Sequence, residues 1–173
     1  MPSPSPSVAS AAASLGRDEE ATPTEQAFAD AVTAVARSLG SDDPEATSAR
    51  PDDVFAPLRN AGLAGAGFDG QVDHFGWITP RRPLRFLGYD VALVFAEEMR
   101  AGIVGCCVND GVTLILAPGG DRAAVERFAE AQRCKIEPAS RNTRFEMATY
   151  DNSALRARRG LIALSCHAGD MME

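Results

Sequence analysis

Along residues 23–39 the apolar side chains Ala27, Phe28, Ala31, Val32, Val35, Ala36 and Leu39 recur at spacings of three and four, which gathers them on one stripe of a helix. Its start is marked chemically, with Thr22 as N-cap, Pro23 at the first helical position and Glu25 placed to reach back in a capping box. Arg37 suits the negative end of the helix dipole, and Gly40 can close the helix. After a polar connection, Pro51-Asp52-Asp53 opens a shorter helix that turns Val54, Phe55 and Leu58 inward. Gly62, Gly65, Gly67 and Gly70, followed by Pro80 and Pro83, make residues 62–83 read as an extended loop holding His74, Phe75 and Trp77.

The middle of the chain is locally ambiguous. Val91, Val94, Phe95 and Met99 fall at helical spacing, so the pattern predicts a helix over residues 90–100, although Val91 to Phe95 could also be a strand. Two β-branched runs, 103–108 and 112–116, flank Asn109-Asp110-Gly111, a turn sequence typical of a hairpin. Asp121 caps a further helix through about Arg133, with Ala124, Val125, Phe128 and Ala129 as its stripe. Beyond Cys134, Phe145 to Tyr150 and Leu161 to Ser165 read as short strands. Residues 1–21 are rich in Pro, Ser and Ala and hold too little apolar surface to offset the entropy of ordering, so they read as a disordered tail.

Composition narrows the range of partners. The 173 residues are 45% apolar and carry a formal net charge of -7, enough for one domain's core but with no excess of Lys and Arg to draw in nucleic acid or anionic lipid. No apolar run reaches the length of a membrane-spanning helix. The opening residues lack the basic region of a signal peptide, which points to the cytoplasm.

Taken in order, these elements resemble the N-terminal helical domain of the acyl-CoA dehydrogenase family running into its middle β-domain. The residues that carry the resemblance are TEQAFADAVTAVARSLG, LRNAGLAGAG, GYDVALVFAEEM, GVTLILAPGGDRAAVERFAEA, Ile136-Glu137-Pro138 at the place of a Thr-Glu-Pro signature, and Gly160 to Ser165 near a flavin-side strand. The resemblance implies a mainly α fold, with a helical domain over 22–133 and a short β-rich segment over 134–173, and it makes 103–116 helical. The alternative is an α+β domain with a β-hairpin at 103–116. The resemblance further implies FAD as cofactor, with Ser165 at the flavin edge, and an acyl-CoA thioester as substrate. Arg141, Asn142 and Thr143 stand where the family has Gly-Ser-Asp, and an arginine cannot replace a glycine that lets a ligand approach the backbone. No catalytic residue is assigned, because the family's general base lies in a final helical domain with no counterpart in this sequence. Activity would therefore need a protein partner or a homo-oligomer to complete it. The competing function is a non-catalytic interaction or assembly protein built on the same scaffold.

Other chemistry has plainer readings. Cys106, Cys107, Cys134 and Cys166 form no Cys-x-x-Cys pair and no framework, so they read as free, buried thiols, and with His74 and His167 they make no metal site. Cys166 and His167 are adjacent and would point to opposite faces of a strand. Gly119-Gly120-Asp121 reads as a capping turn. The arginine groups 81, 82, 85 and 156, 158, 159 read as solvated loop clusters.

Overall fold

The structure, a computed structural model, describes residues 20–41, 49–98, 108–150 and 152–169. Thr22 and Glu25 make the expected reciprocal cap, Glu25 N–H donating to Thr22 Oγ1 at 3.2 Å and Thr22 N–H to Glu25 Oε2 at 2.8 Å, and they open α1 (Pro23–Leu39). Phe28, Val32, Val35 and Ala36 are buried on its inner stripe. A 3-10 turn at Pro51–Phe55 leads into α2 (Ala56–Asn60), and Val54, Phe55 and Leu58 are fully enclosed. Arg50 and the Asp52 N–H both bind the carboxylate of Glu98, which pins this turn to the sheet.

Residues 62–83 are more regular than their glycines suggest, because β1 (Gly70–Val72) and β2 (Phe75–Ile78) pair there. A tight turn with Leu87 and Gly88 both at positive φ joins β3 (Arg85–Phe86) to β4 (Tyr89–Glu97). Then follow β5 (Gly111–Leu116), α3 (Arg122–Gln132), β6 (Lys135–Pro138), α4 (Thr143–Ala148), α5 (Ser153–Arg156) and β7 (Ile162–His167). The strands form one antiparallel sheet in the order β1-β2-β4-β5-β7-β6, with β3 paired to β4.

The chain is therefore α+β, and the mainly α helical bundle is corrected. The decisive segment is 89–97, a strand buried along almost its whole length. A strand covered on both faces shows a continuous apolar run rather than alternation, and a run of that kind matches helical spacing as well as strand spacing. For the same reason the helix expected over 103–116 is replaced at 111–116 by β5, all six of whose residues are buried. Residues 103–107, the hairpin's other arm, lie outside the described residues, as does most of the tail. The strand expected over 145–150 is the helix α4, started by the side chain of Asn142.

Even-numbered residues of β5 and β7 face α1, α2 and α3. Val112, Leu114, Leu116, Leu164 and Cys166 meet Phe28, Val32, Leu58 and Val125 in the main core. Odd-numbered residues face the other way, where Phe95, Ile115 and Ala163 pack under Phe145 of α4 and beside Trp77 and Leu155. Cys134 and Cys166 are joined in a disulfide with Cα atoms 4.4 Å apart, which corrects the expectation of free thiols at these two positions. Cys134 directly precedes β6, and the register that sets Lys135 opposite Ser165 carries Cys134 to Cys166. Cys106 and Cys107 lie outside the described residues.

Glu25 also joins α1 to the sheet, since its Oε1 accepts from Arg85 N at 3.0 Å and Arg85 Nε at 3.1 Å. Burial alone would raise its carboxyl pKa. The hydrogen bonds from Thr22 and Arg85, with the charge of Arg85, outweigh burial and hold it below the ordinary glutamate value. Replacing it by Ala removes a helix cap and leaves the Arg85 N–H without its acceptor. Glu25→Ala should therefore lower unfolding free energy by about 2–3 kcal/mol in urea titrations. Opening the disulfide frees a loop with a sequence separation of 32. Cys166→Ala should cost about 3–4 kcal/mol on chain entropy, and unreduced peptide mapping should recover 134 linked to 166.

Candidate functional site

Ser165 lies at the centre of a buried polar chain on the odd-numbered face of the sheet. Thr113 and Ser165 are opposite each other in the β5–β7 register, and their hydroxyls are 3.1 Å apart. Thr113 Oγ1 is 2.9 Å from His167 Nε2, and His167 Nδ1 is 2.7 Å from the carbonyl oxygen of Asn109. A carbonyl only accepts, so Nδ1 carries the proton and Nε2 accepts from Thr113. Thr113 in turn accepts from Ser165, and Ser165 accepts from Asn142 Nδ2 at 3.2 Å. The chain thus runs in one direction, from Asn142 through Ser165 and Thr113 to His167.

Each end is anchored. Asn142 donates to Glu137 Oε1 at 2.8 Å while its Oδ1 accepts from Phe145 N at 3.1 Å, so one amide caps α4 and ties it to β6 and β7. At the other end, Glu97 accepts from Asn109 N at 3.0 Å and from Arg144 Nε at 2.9 Å. Gly111 stands opposite His167, and a Cβ on it would lie 2.4 Å from the imidazole, so only glycine leaves room for the ring.

Burial pushes the His167 pKa down to about 3, helped by the positive charge of Arg144 and opposed by the Asn109 carbonyl. Its 3.9 Å approach to Glu97 is therefore not an ion pair near neutral pH, because the imidazole is uncharged there. Although hydroxyls and an imidazole in sequence suggest a nucleophile and its base, Thr113 and His167 are fully buried and Ser165 is 2% exposed. Every partner in the chain is internal, and its effect is to fix α4 on the sheet.

Next to α4, a cleft of about 370 Å³ is lined by Pro138, Ala139, Ser140, Phe145 and Leu161, with the exposed residues Arg156, Arg158 and Arg159 along its other side. The three arginines read from sequence as a solvated cluster are thus brought over an apolar floor. The floor comes from tertiary packing of residues far apart in the chain, and no local pattern announced it. The other arginine group is dispersed, with Arg85 on Glu25 and Arg82 Nη2 donating to the Ala61 carbonyl at 2.7 Å. Asp121 caps α3 through Ala123 N, in keeping with a capping turn at Gly119-Gly120. Cys166 and His167 do point to opposite faces, one into the disulfide and the other into the polar chain. Among the described residues there is no group of three metal-ligating side chains and no helix long and apolar enough to cross a membrane.

Because the folded-state pKa of His167 lies below its ordinary value of 6.5, the unfolded chain binds the extra proton between those limits, and stability falls as pH falls through that window. From pH 6.5 to 5 this group should remove about 1.7 kcal/mol in all, the slope rising toward about 1.4 kcal/mol per pH unit at the lower end. Urea denaturation of the parent and of His167→Gln should give a pH slope in the parent that the variant lacks over this range, and equal slopes would contradict the buried neutral imidazole.

No protein-family model, no curated protein and no solved structure matches this chain.

Proposed function

We propose that this protein is a non-catalytic interaction protein rather than a flavin-linked oxidant of acyl thioesters. The observation that carries the reading is the position of Ser165. The hydroxyl that the acyl-CoA dehydrogenase resemblance would set at a flavin edge is 2% exposed and lies between Asn142 and Thr113. A ligand could reach it only by displacing the start of α4, and with it the hydrogen bonds that Asn142 donates to Ser165 and Glu137 and the ion pair of Arg144 with Glu97. Leaving such buried groups without partners costs about 1–3 kcal/mol each.

What remains for contact with other molecules is the surface, where interface-forming residue types gather around the cleft. A cytoplasmic location belongs to the same proposal, with the Cys134–Cys166 bridge as its counterweight, since disulfides persist chiefly in oxidising compartments. Thiol trapping in intact cells would place the protein on one side or the other.

FAD titration of the purified full chain should give no quenching of flavin fluorescence. After desalting the protein should be colourless, and medium-chain acyl-CoA should reduce no electron acceptor in its presence. Retention of stoichiometric FAD through desalting would overturn the interaction reading and restore the oxidoreductase one.

A further inference from the structure

We infer that the arginine-rimmed cleft docks an acidic segment of a partner protein that carries an aromatic or aliphatic anchor among its carboxylates. The inference rests on the interaction reading above and gives it a site and a partner chemistry.

The floor of the cleft is formed by Ala139, Phe145 and Leu161, which are 1%, 5% and 7% exposed. These nearly buried side chains close the bottom of the depression, and the exposed ring of Pro138 adds apolar surface at its side. Around it stand three exposed guanidinium groups within four residues. Arg156 Nη2 donates to the Tyr150 carbonyl at 2.8 Å and Arg159 Nη1 to the Ala157 carbonyl at 3.0 Å. Each of these bonds uses one N–H and leaves four for a ligand, while the backbone contact limits where the fork can point. Among the described residues none of the three makes an ion pair, although acidic residues outnumber Lys and Arg by 24 to 17 over the chain.

A second observation comes from the exposed residues of α4 and the turn that follows it. Among the described residues three large hydrophobic side chains are exposed, and two of them, Met147 at 46% and Tyr150 at 73%, follow Phe145 along and just beyond α4. Tyr150 is also the residue whose carbonyl holds Arg156. Tyr, Met and Arg are the side chains enriched in protein interfaces, and Tyr and Arg dominate their energetic centres.

Charge decides the occupant. Guanidinium forks bind carboxylates in bidentate pairs. A nucleic acid would satisfy the rim with its phosphates, but its long run of charge beyond the patch would meet the repulsion of a chain with net charge -7. A protein segment with carboxylates flanking one apolar side chain matches both rim and floor.

The test uses the full chain and a fluorescein-labelled peptide of Glu and Asp with one central Phe, followed by fluorescence anisotropy. Comparison ligands are the same peptide with Lys in place of every acid, the acidic peptide with Ser in place of Phe, oligothymidylate, and inorganic pyrophosphate as competitor. Saturable binding is expected for the acidic Phe peptide, weakened at least tenfold by combining R156E, R158E and R159E, weakened about threefold or more by Tyr150→Ala, and falling as salt rises. Replacing Phe by Ser should weaken it about tenfold. Circular dichroism checks that the triple variant is folded; should it be altered, Arg158→Glu alone carries the comparison. The inference is overturned if the acidic peptide does not bind, if the Lys peptide or oligothymidylate binds as well, if pyrophosphate displaces the peptide at equal concentration, or if charge reversal leaves affinity unchanged. A colourless protein that ignores the peptide rejects this site and leaves the interaction reading standing, whereas a protein loaded with flavin rejects that reading itself.

Discussion

Three polar side chains on the inner strands, Thr113, Ser165 and His167, are buried on the odd-numbered face, and each requires a partner in a place water does not reach. They find one another only in the register that puts Thr113 opposite Ser165 and Gly111 opposite His167. A slip of one residue would send these groups to the face packed against α1, α2 and α3 and bring Val112, Leu114 and Leu164 to the other. Hydrophobic burial supplies most of the favourable free energy of the sheet, yet it distinguishes poorly between neighbouring registers when both faces are apolar. The polar chain makes that distinction, and through Asn142 it also starts α4. Placement of α4 in turn sets the floor of the cleft, so the geometry of the surface site traces back to hydrogen bonds that no solvent touches.

Features encoded within a few residues were legible. Thr22, Pro23 and Glu25 specify the start of α1, and Asp121 specifies the start of α3, because capping is local chemistry. Pro51 and the two aspartates mark the second helical segment, and its inward residues follow from spacing. The strand at 162–167 was also read nearly in place. What failed was the segment 89–97, where Val91, Val94 and Phe95 satisfy helical spacing only because the strand is apolar on both faces. The opposite error occurred at 145–150, where a run that reads as a strand is instead a helix capped by the side chain of Asn142. Pairing of Cys134 with Cys166 has no local signature, because it is created by the β6–β7 register.

The candidate site divides in the same way. Ser165 could be singled out from the sequence, but its burial between α4 and β5 depends on contacts across more than fifty residues. The three arginines were visible as a cluster, and whether such a cluster is merely solvated depends on what lies beneath it. Phe145 and Leu161 turn it into a rim. In both cases residue type was readable and accessibility was not, and accessibility separates a catalytic hydroxyl from a structural one.

The position of the disulfide has a bearing on how the molecule behaves in a crowd. β6 is the last strand of the sheet, four residues long, with Lys135 and Pro138 exposed at its ends. A strand so short is a weak lid on the ladder of β7, and if it peeled away the buried strand behind it would present a row of unpaired backbone groups to any neighbouring chain. The Cys134–Cys166 bridge fastens the lid at one end, while its proline and lysine make the outer edge a poor template. The cross-link therefore guards solubility as well as shape: it keeps an interior strand from becoming the growing end of a polymer.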